Sequence, residues 1–404
     1  MAAARATPAL RREQIKLQVG LVNALMHVEG YAAVETKEAV EQARLLIERA
    51  EALGEPPEDP LLLFSILYGF WSASYVGFNG DVMRNLAGQF LALAEKQSAT
   101  APLMIGHRLT ATALLFTGDV AQSRAYFDRA LALYDPAEHR PLATRFGQDV
   151  GVTILCYRAL ALWLLGYPQA ALADTERVLR DARKIGHAAT LMFALSLTGL
   201  TLVHCGRYVM AKAQLDEFVA LVEEKGSLFW KGFAMLIRGW LFSRTGRPSD
   251  AIQMLTSGVA ASLSTGTTVF IPEWLSSCAT AYADVDKFED ARRCSDEAMT
   301  MLETTKEKWV EAEIQRTAGQ IALKSPEPDT AKAEAYFTRA LVVARKQQAK
   351  SFELRAAMSM ARLWRDQGKR DEARSLLAPV YGWFTEGFDT TDLREAKALL
   401  EELG

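Results

Sequence analysis

Nine side chains in the 404-residue chain could ligate a metal or pair as nucleophile and base: His27, His107, His139, His187, His204, Cys156, Cys205, Cys278 and Cys294. Their spacing argues against both roles. No two cysteines form C-x-x-C, and no two histidines form H-x-x-x-H or H-E-x-x-H, the spacings that put two ligands on one side of a turn or helix. His204 and Cys205 are adjacent, so a helix points them to different faces. A Cys–His pair needs its partners to meet only in space, and cysteines scattered this widely give no sign of one. The phosphate cradle G-x-x-x-x-G-K-[ST] is missing as well, since Gly368–Lys369 is followed by Arg370. The expectation is a non-enzymatic chain with no metal and no cofactor.

What remains is recognition chemistry. Arg108, Arg316 and Arg362 could each hold a carboxylate or phosphate through a guanidinium fork. A polar segment, "LYDPAEHRPLATRFGQDVG" at 133–151, adds His139, Arg140, Arg145 and Asp149. The net charge of −3 gives no footprint for nucleic acid or an anionic membrane. The N-terminus lacks the apolar core of a signal peptide, and the scattered cysteines suit reduced thiols in the cytoplasm.

A repeat must position these residues. Small residues recur with spacings of seven and five at Gly199, Gly206 and Ala211. The same pattern falls at Ala159/Gly166/Ala171, Gly239/Gly246/Ala251, Ala279/Asp286/Ala291, Gly319/Pro326/Ala331 and Ala361/Gly368/Ala373. Upstream it is weaker, at Ala111/Gly118/Ser123 and Ala73/Gly80/Asn85, with a degenerate first unit around Gly30. Between these positions apolar residues recur at helical spacing. The first small residue then marks a helix crossed closely by a neighbour. The middle one marks a left-handed turn, and the third the close contact inside a hairpin. From Ala73 to Ala361 the first position advances by 38, 48, 40, 40, 40, 40 and 42 residues. Glycines at 186, 226 and 266 mark where new first helices begin.

These intervals resemble the tetratricopeptide repeat (TPR), as do the runs "SRAYFDRAL" at 123–131 and "AEAYFTRAL" at 333–341. The forty-residue unit is longer than the usual 34 or so. The resemblance implies an all-α, right-handed solenoid of about nine helical hairpins spanning 1–404. Residues 1–60 form a degenerate hairpin, 61–390 the regular repeats and 391–404 a capping helix. Asp392 with Glu395 reads as its capping box, and Leu393, Ala396, Leu400 and Leu403 as its apolar stripe. The uncharged stretch Leu61–Gly80 is long enough to span a bilayer, but its serines, its GFNG end and its fit to the repeat make it a solenoid helix.

Two blocks, 107–151 and 349–403, resemble more narrowly the C-terminal helical-repeat region of bacterial class III nucleotide cyclase and P-loop ATPase regulatory proteins. There the array is the regulatory, sensing or partner-binding part. The resemblance implies a protein segment or small effector in the concave groove, with a cyclase or ATPase module as possible partner. A free-standing scaffold or oligomerising adaptor is the alternative, with an unrecognised hydrolase behind it.

The repeat register predicts the groove. Residues three before and one after each first small position face it: Phe70/Ser74, Arg108/Thr112, Cys156/Leu160, Ser196/Leu200, Leu236/Trp240, Ser276/Thr280, Arg316/Gln320 and Met358/Arg362. Trp240 is either an aromatic platform or packing between repeats. The segment at 133–151 explains the step of 48. It either folds over the groove mouth beside Arg108, with Arg140 and Arg145 holding an anion, or is a connection with Phe146 as staple and Gln148 or Asp149 as cap.

Overall fold

The computed structural model describes residues 7–29, 33–55, 59, 61–97 and 99–404. Among them every regular element is a helix. In chain order these are α1 (Pro8–Val28), α2 (Val34–Ala52), α3 (Leu62–Val76), α4 (Gly80–Gln97), α5 (Thr100–Phe116) and α6 (Val120–Ala132). The short turns α7 (Pro136–His139) and α8 (Ala143–Phe146) follow, separated by one 3-10 turn. Next come α9 (Val150–Leu164), α10 (Pro168–Ile185), α11 (Ala188–His204), α12 (Tyr208–Lys225), α13 (Leu228–Arg244) and α14 (Pro248–Ser264). The chain ends with α15 (Ile271–Ala283), α16 (Phe288–Thr305), α17 (Glu311–Lys324), α18 (Thr330–Gln347), α19 (Lys350–Asp366), α20 (Arg370–Gly382) and α21 (Thr391–Glu402). They pair into nine hairpins with α21 packed on the last. No described helix is long and apolar enough to cross a membrane.

The small residues do the work their spacing predicts. Gly118, Gly166, Gly206, Gly246, Asp286 and Gly368 have φ between 59° and 95° and end the first helix of their hairpins. A Cβ on Gly239 would lie 2.7 Å from Leu255 Cγ, and one on Gly319 2.5 Å from the Phe337 ring, so bare backbone is required at these crossings. The second helices close on another left-handed residue: Gly186, Gly226 and Gly266, then Lys306 and Gln348 in the same place.

Register corrections appear at the ends. α18 starts after the longer turn at 325–329, so Ala333 is the buried contact and Ala331 is exposed. In the α3/α4 hairpin the helix-equivalent positions are Trp71 and Met83, both buried. Gly80 begins α4 instead of making a left-handed turn, and Asn85 is exposed. With Trp71 in place of Ala73, the step to Ala111 becomes forty and the groove pair becomes Tyr68/Ser72. The cap of α21 is Thr390. Asp392 lies in its first turn and pairs with Arg355 at 2.8 Å. Gly30 lies outside the described residues.

The first helices α5, α9 and α11 are buried on nearly every side; all of α9 except Arg158 is buried. Second helices bury one stripe, as α10 does with Ala171, Thr175, Val178 and Ala182. Neighbouring hairpins cover a first helix on its flanks. Its front is covered by the next turn of the superhelix, which returns after five hairpins. The carbonyl of Val76, ending α3, accepts from the N–H groups of Thr268 and Val269 at 2.8 and 3.0 Å, just before α15. The carbonyl of Phe116, ending α5, accepts from Lys308 and Trp309 at 2.8 and 3.2 Å, just before α17. Ser351 Oγ donates to the carbonyl of Trp163, and Arg355 Nη2 to that of His204. Arg207 pairs with Asp389. Helix C-termini, which lack intrahelical partners for their last carbonyls, thus meet the N-terminal ends of helices one turn on. This seam brings together residues 151 to 193 apart in sequence.

Candidate functional site

The seam changes what the concave face is. Stacked turns press the groove positions into a common interior. Thr112, Cys156, Leu160, Ser196, Leu200, Leu236 and Met358 are buried, and so is Trp240. Trp240 packs edge-on against His204 and Trp274, with centroids 4.6 and 5.9 Å away. It is interior packing, not an open platform. The expected open groove is corrected accordingly: this chain fills its own groove.

A hollow lies in that interior, at the first turn. The inner face of α3 contributes Tyr68, Trp71, Ser72 and Tyr75, and α5 contributes Arg108. Tyr157, Phe193, Trp230 and Phe233 form the walls, and Val269 with Phe270 the floor from the next turn. Its free interior is about 50 Å³, within a space of about 540 Å³ that includes the mouth. Arg108 is 4% exposed. Its guanidinium carbon lies 5.3 Å from the ring centres of both Tyr68 and Trp71, a cation–π arrangement. Nη1 donates to Thr153 Oγ1 across 3.3 Å. Thr112 Oγ1 donates to the carbonyl of Arg108 at 3.0 Å, so it serves the helix, not the hollow. At the floor, Phe270 has φ 67°, a conformation costly for a bulky residue. Its N–H is held by the buried Glu307 carboxyl, 3.0 Å away, which also accepts from Trp309 Nε1 at 2.9 Å. Burial pushes Glu307 up to about 8 despite these bonds.

The connection at 133–151 borders the hollow without delivering its arginines to it. Phe146 packs edge-on against Tyr68, centroids 5.1 Å apart, and Gln148 lines the wall. Arg145 is taken up by an ion pair with Asp59. Arg140 lies by the pair formed by Tyr134 and Asp149, where its charge counters a rise in their pKa values caused mainly by burial. Asp149 caps α9 by accepting from the Val152 N–H at 2.9 Å, and it accepts from the Tyr134 hydroxyl at 2.9 Å. Tyr134 in turn lies on Gly151, where a Cβ would fall 2.5 Å from ring Cζ. His139 is buried, its Nδ1 accepting from the Asp135 N–H at 2.9 Å. The segment is therefore a capped, internally bonded connection. The idea that Arg140 and Arg145 jointly clamp an anion beside Arg108 does not fit these partners.

The other predicted arginines lie elsewhere. Arg316 forms a bidentate pair with Glu313, both contacts 2.8 Å, and Arg362 pairs with Glu395 at 3.0 Å near the surface. Gln320 is half-buried on α17, one helical turn beyond Arg316. Sequence reasoning missed the surroundings of Glu313. Arg355 reaches it across 3.5 Å and Arg244 across 3.7 Å. Burial alone would raise the Glu313 carboxyl, but the guanidiniums of Arg316 and Arg355 outweigh it and hold the acid well below its usual range. Nearby, His204 Nε2 lies 3.3 Å from Glu273 Oε1. Burial, with the charges of Arg355 and Arg244, pushes the imidazole pKa well down. Burial and the neighbouring acids push Glu273 up to about 8. The available signal was charge inside apolar text, as in "IPEWLSS" and "SFELRAAM". The described residues hold no cluster of His, Cys, Asp and Glu able to take a metal ion, and the four cysteines are buried free thiols.

The fold defined by these hairpins is a tetratricopeptide-repeat-like all-α solenoid. It is similar to a Rap protein complexed with competence and sporulation factor, at TM-score 0.61 and 12% identity, covering 97% of this chain and 100% of that one. It is also similar to the Rap conjugation gene regulator of plasmid pLS20 in complex with the Phr* peptide, at TM-score 0.54 and 9% identity, covering 97% of this chain and 98% of that one. In sequence, an uncharacterized protein of Rhizobium meliloti (strain 1021) is 26% identical over 331 residues, 80% of this chain and 31% of that protein. The chain thus spans under a third of the length of the curated relative it matches. No family model matches.

Proposed function

We propose that this chain is a non-catalytic regulatory module. It takes a protein segment or small effector at its inner face and passes the signal to a nucleotide cyclase or P-loop ATPase module. The seam is the observation that carries this reading. Two superhelical turns are joined by helix-end hydrogen bonds and ion pairs, so anything binding between them must compete with or complete those contacts. Such a device has two states, seam closed and seam open, and a ligand with different affinity for them shifts the balance. The similarly folded Rap proteins solved with a competence factor and a Phr* peptide support the choice of a peptide-sized effector. The longer Rhizobium relative supports an array attached to further modules.

The test mixes the full chain with the cyclase or ATPase module fused to it or encoded beside it. Nucleotide turnover is measured with the native chain and with a seam-loosened variant, Gly206→Ala. A several-fold difference supports the reading. Equal turnover, with complex formation verified by mass photometry, discards it in favour of a scaffold.

A further inference from the structure

We infer that the hollow at Arg108 binds a monocarboxylate attached to an apolar or aromatic body: a free small acid, or the C-terminal residue of a peptide. Three arginines are buried among the described residues: Arg108, Arg316 and Arg355. Two are neutralised, Arg316 by Glu313 and Arg355 by Asp392 and Glu313. The recorded partners of Arg108 are a threonine hydroxyl and two aromatic rings, none of them anionic. A buried cation without an anion is costly, so this position is incomplete as it stands.

A second observation converges on the same space. Arg108 Nε, Trp71 Nε1 and Ser72 Oγ are buried without a hydrogen-bond partner, and all three residues line the hollow. Two of these atoms are obligate donors and the third can donate, so the missing ligand atom is an acceptor. One cation with neutral donors balances a single negative charge, which favours a carboxylate over a dianionic phosphate. A free interior of about 50 Å³ has room for a carboxylate head. The aromatic walls then take the apolar remainder toward the mouth.

The floor links this site to the seam. Val269 and Phe270 line the hollow, and Val269 donates to Val76, which also lines it. An occupant therefore touches both sides of the first seam contact. The inference deepens the sensor reading by giving its effector a chemistry, and as a sensory site it rests on that reading.

The experiment titrates the full chain with 3-phenylpropionate and 3-indolepropionate, following tryptophan fluorescence and calorimetry. 3-Phenylpropionamide is the neutral control. An acetylated tripeptide ending in Phe carboxylate, and its C-terminal amide, separate the peptide source from the free acid. The expected result is saturable binding of a carboxylate form at least tenfold tighter than its amide. Arg108→Met should abolish that preference while leaving the empty protein equally or more heat-stable, since an unpaired buried charge is removed. Equal binding of acid and amide would overturn the site. So would unchanged acid binding in Arg108→Met, or stabilisation by chloride alone. Arg108-dependent acid binding without effect on the turnover of the linked module sinks the sensor reading and keeps the site. A module that responds to seam loosening while no carboxylate binds does the reverse.

Discussion

Gly206, ending the first helix of its hairpin, meets Thr391 of the next superhelical turn so closely that a Cβ on the glycine would lie 2.9 Å from the Cβ of Thr391. Gly206 has φ 71° and Gly246, one hairpin on, has φ 75°, but a Cβ on Gly246 meets nothing within 4 Å. Alanine at either position carries the left-handed penalty of ~1–2 kcal/mol. At Gly206 it must also push the turns apart. Gly206→Ala should therefore lose more stability than Gly246→Ala by ~1–3 kcal/mol, the range for overpacking, and should expand the molecule in small-angle scattering. Equal losses and equal radii would show that the seam is not closed in solution.

Glu313 is a shared anion for three guanidiniums. Replacing it by Gln leaves Arg316 and Arg355 buried with less compensation, and breaking such a pair typically costs ~3–5 kcal/mol. Denaturant unfolding of Glu313→Gln measures the loss. A change below ~1 kcal/mol would mean that water already screens the cluster.

The buried acids set a pH dependence. Glu307 and Glu273 titrate near 8 in the folded chain and near 4.3 when unfolded. Between those values the unfolded state has released protons that the folded state keeps, so stability falls as pH rises and levels off above about 8. Each group contributes up to ~1.4 kcal/mol per pH unit. His204 acts oppositely: its folded pKa is depressed, so it costs stability below the unfolded value of ~6.5. The decline is thus clearest between about pH 6.5 and 8. Glu307→Gln keeps an acceptor for Phe270 and Trp309 but removes one titration. Its unfolding free energy should fall less steeply over that window, and a slope matching the native chain would refute the assignment.

Lys306 occupies the turn filled by glycine in three preceding hairpins, with φ 64°. Lys306→Gly relieves the left-handed penalty against a smaller gain in unfolded-chain entropy. The net expectation is ~0.5–1 kcal/mol of added stability, read as a higher midpoint in thermal or urea unfolding. A lower midpoint would show that Lys306 is held by contacts worth more than its strain.

The hairpins were legible because their signals are local. A left-handed turn selects Gly or Asp, and a helix crossing selects a small residue, so both recur at fixed intervals. Where the turn changed length, at 325–329, counting alone placed Ala331 two residues from the buried contact at Ala333. A matching two-residue slip hid Tyr68 and Ser72 behind Phe70 and Ser74. Arg108 could be nominated from the register, but its isolation from any recorded anion could not. That depends on how the second superhelical turn stacks on the first, and no single hairpin encodes it. The partners of Glu313 were only partly legible: Arg316 sits three residues on along α17, but Arg244 and Arg355 reach in from α13 and α19, and nothing within α17 announces them.

Most solenoids can gain or lose a unit anywhere, because each repeat meets only its neighbours. Here the seam bonds at Val76, Phe116 and Trp163 also tie one hairpin to the fifth one after it, and the bond at His204 ties its hairpin to the fourth. Deleting a single internal hairpin would leave every local contact intact yet bring the wrong partners opposite Val76, Phe116, Trp163 and His204. The length of this array is therefore counted in turns as well as in repeats, and a viable change of size must preserve the pairing between turns or abandon it altogether.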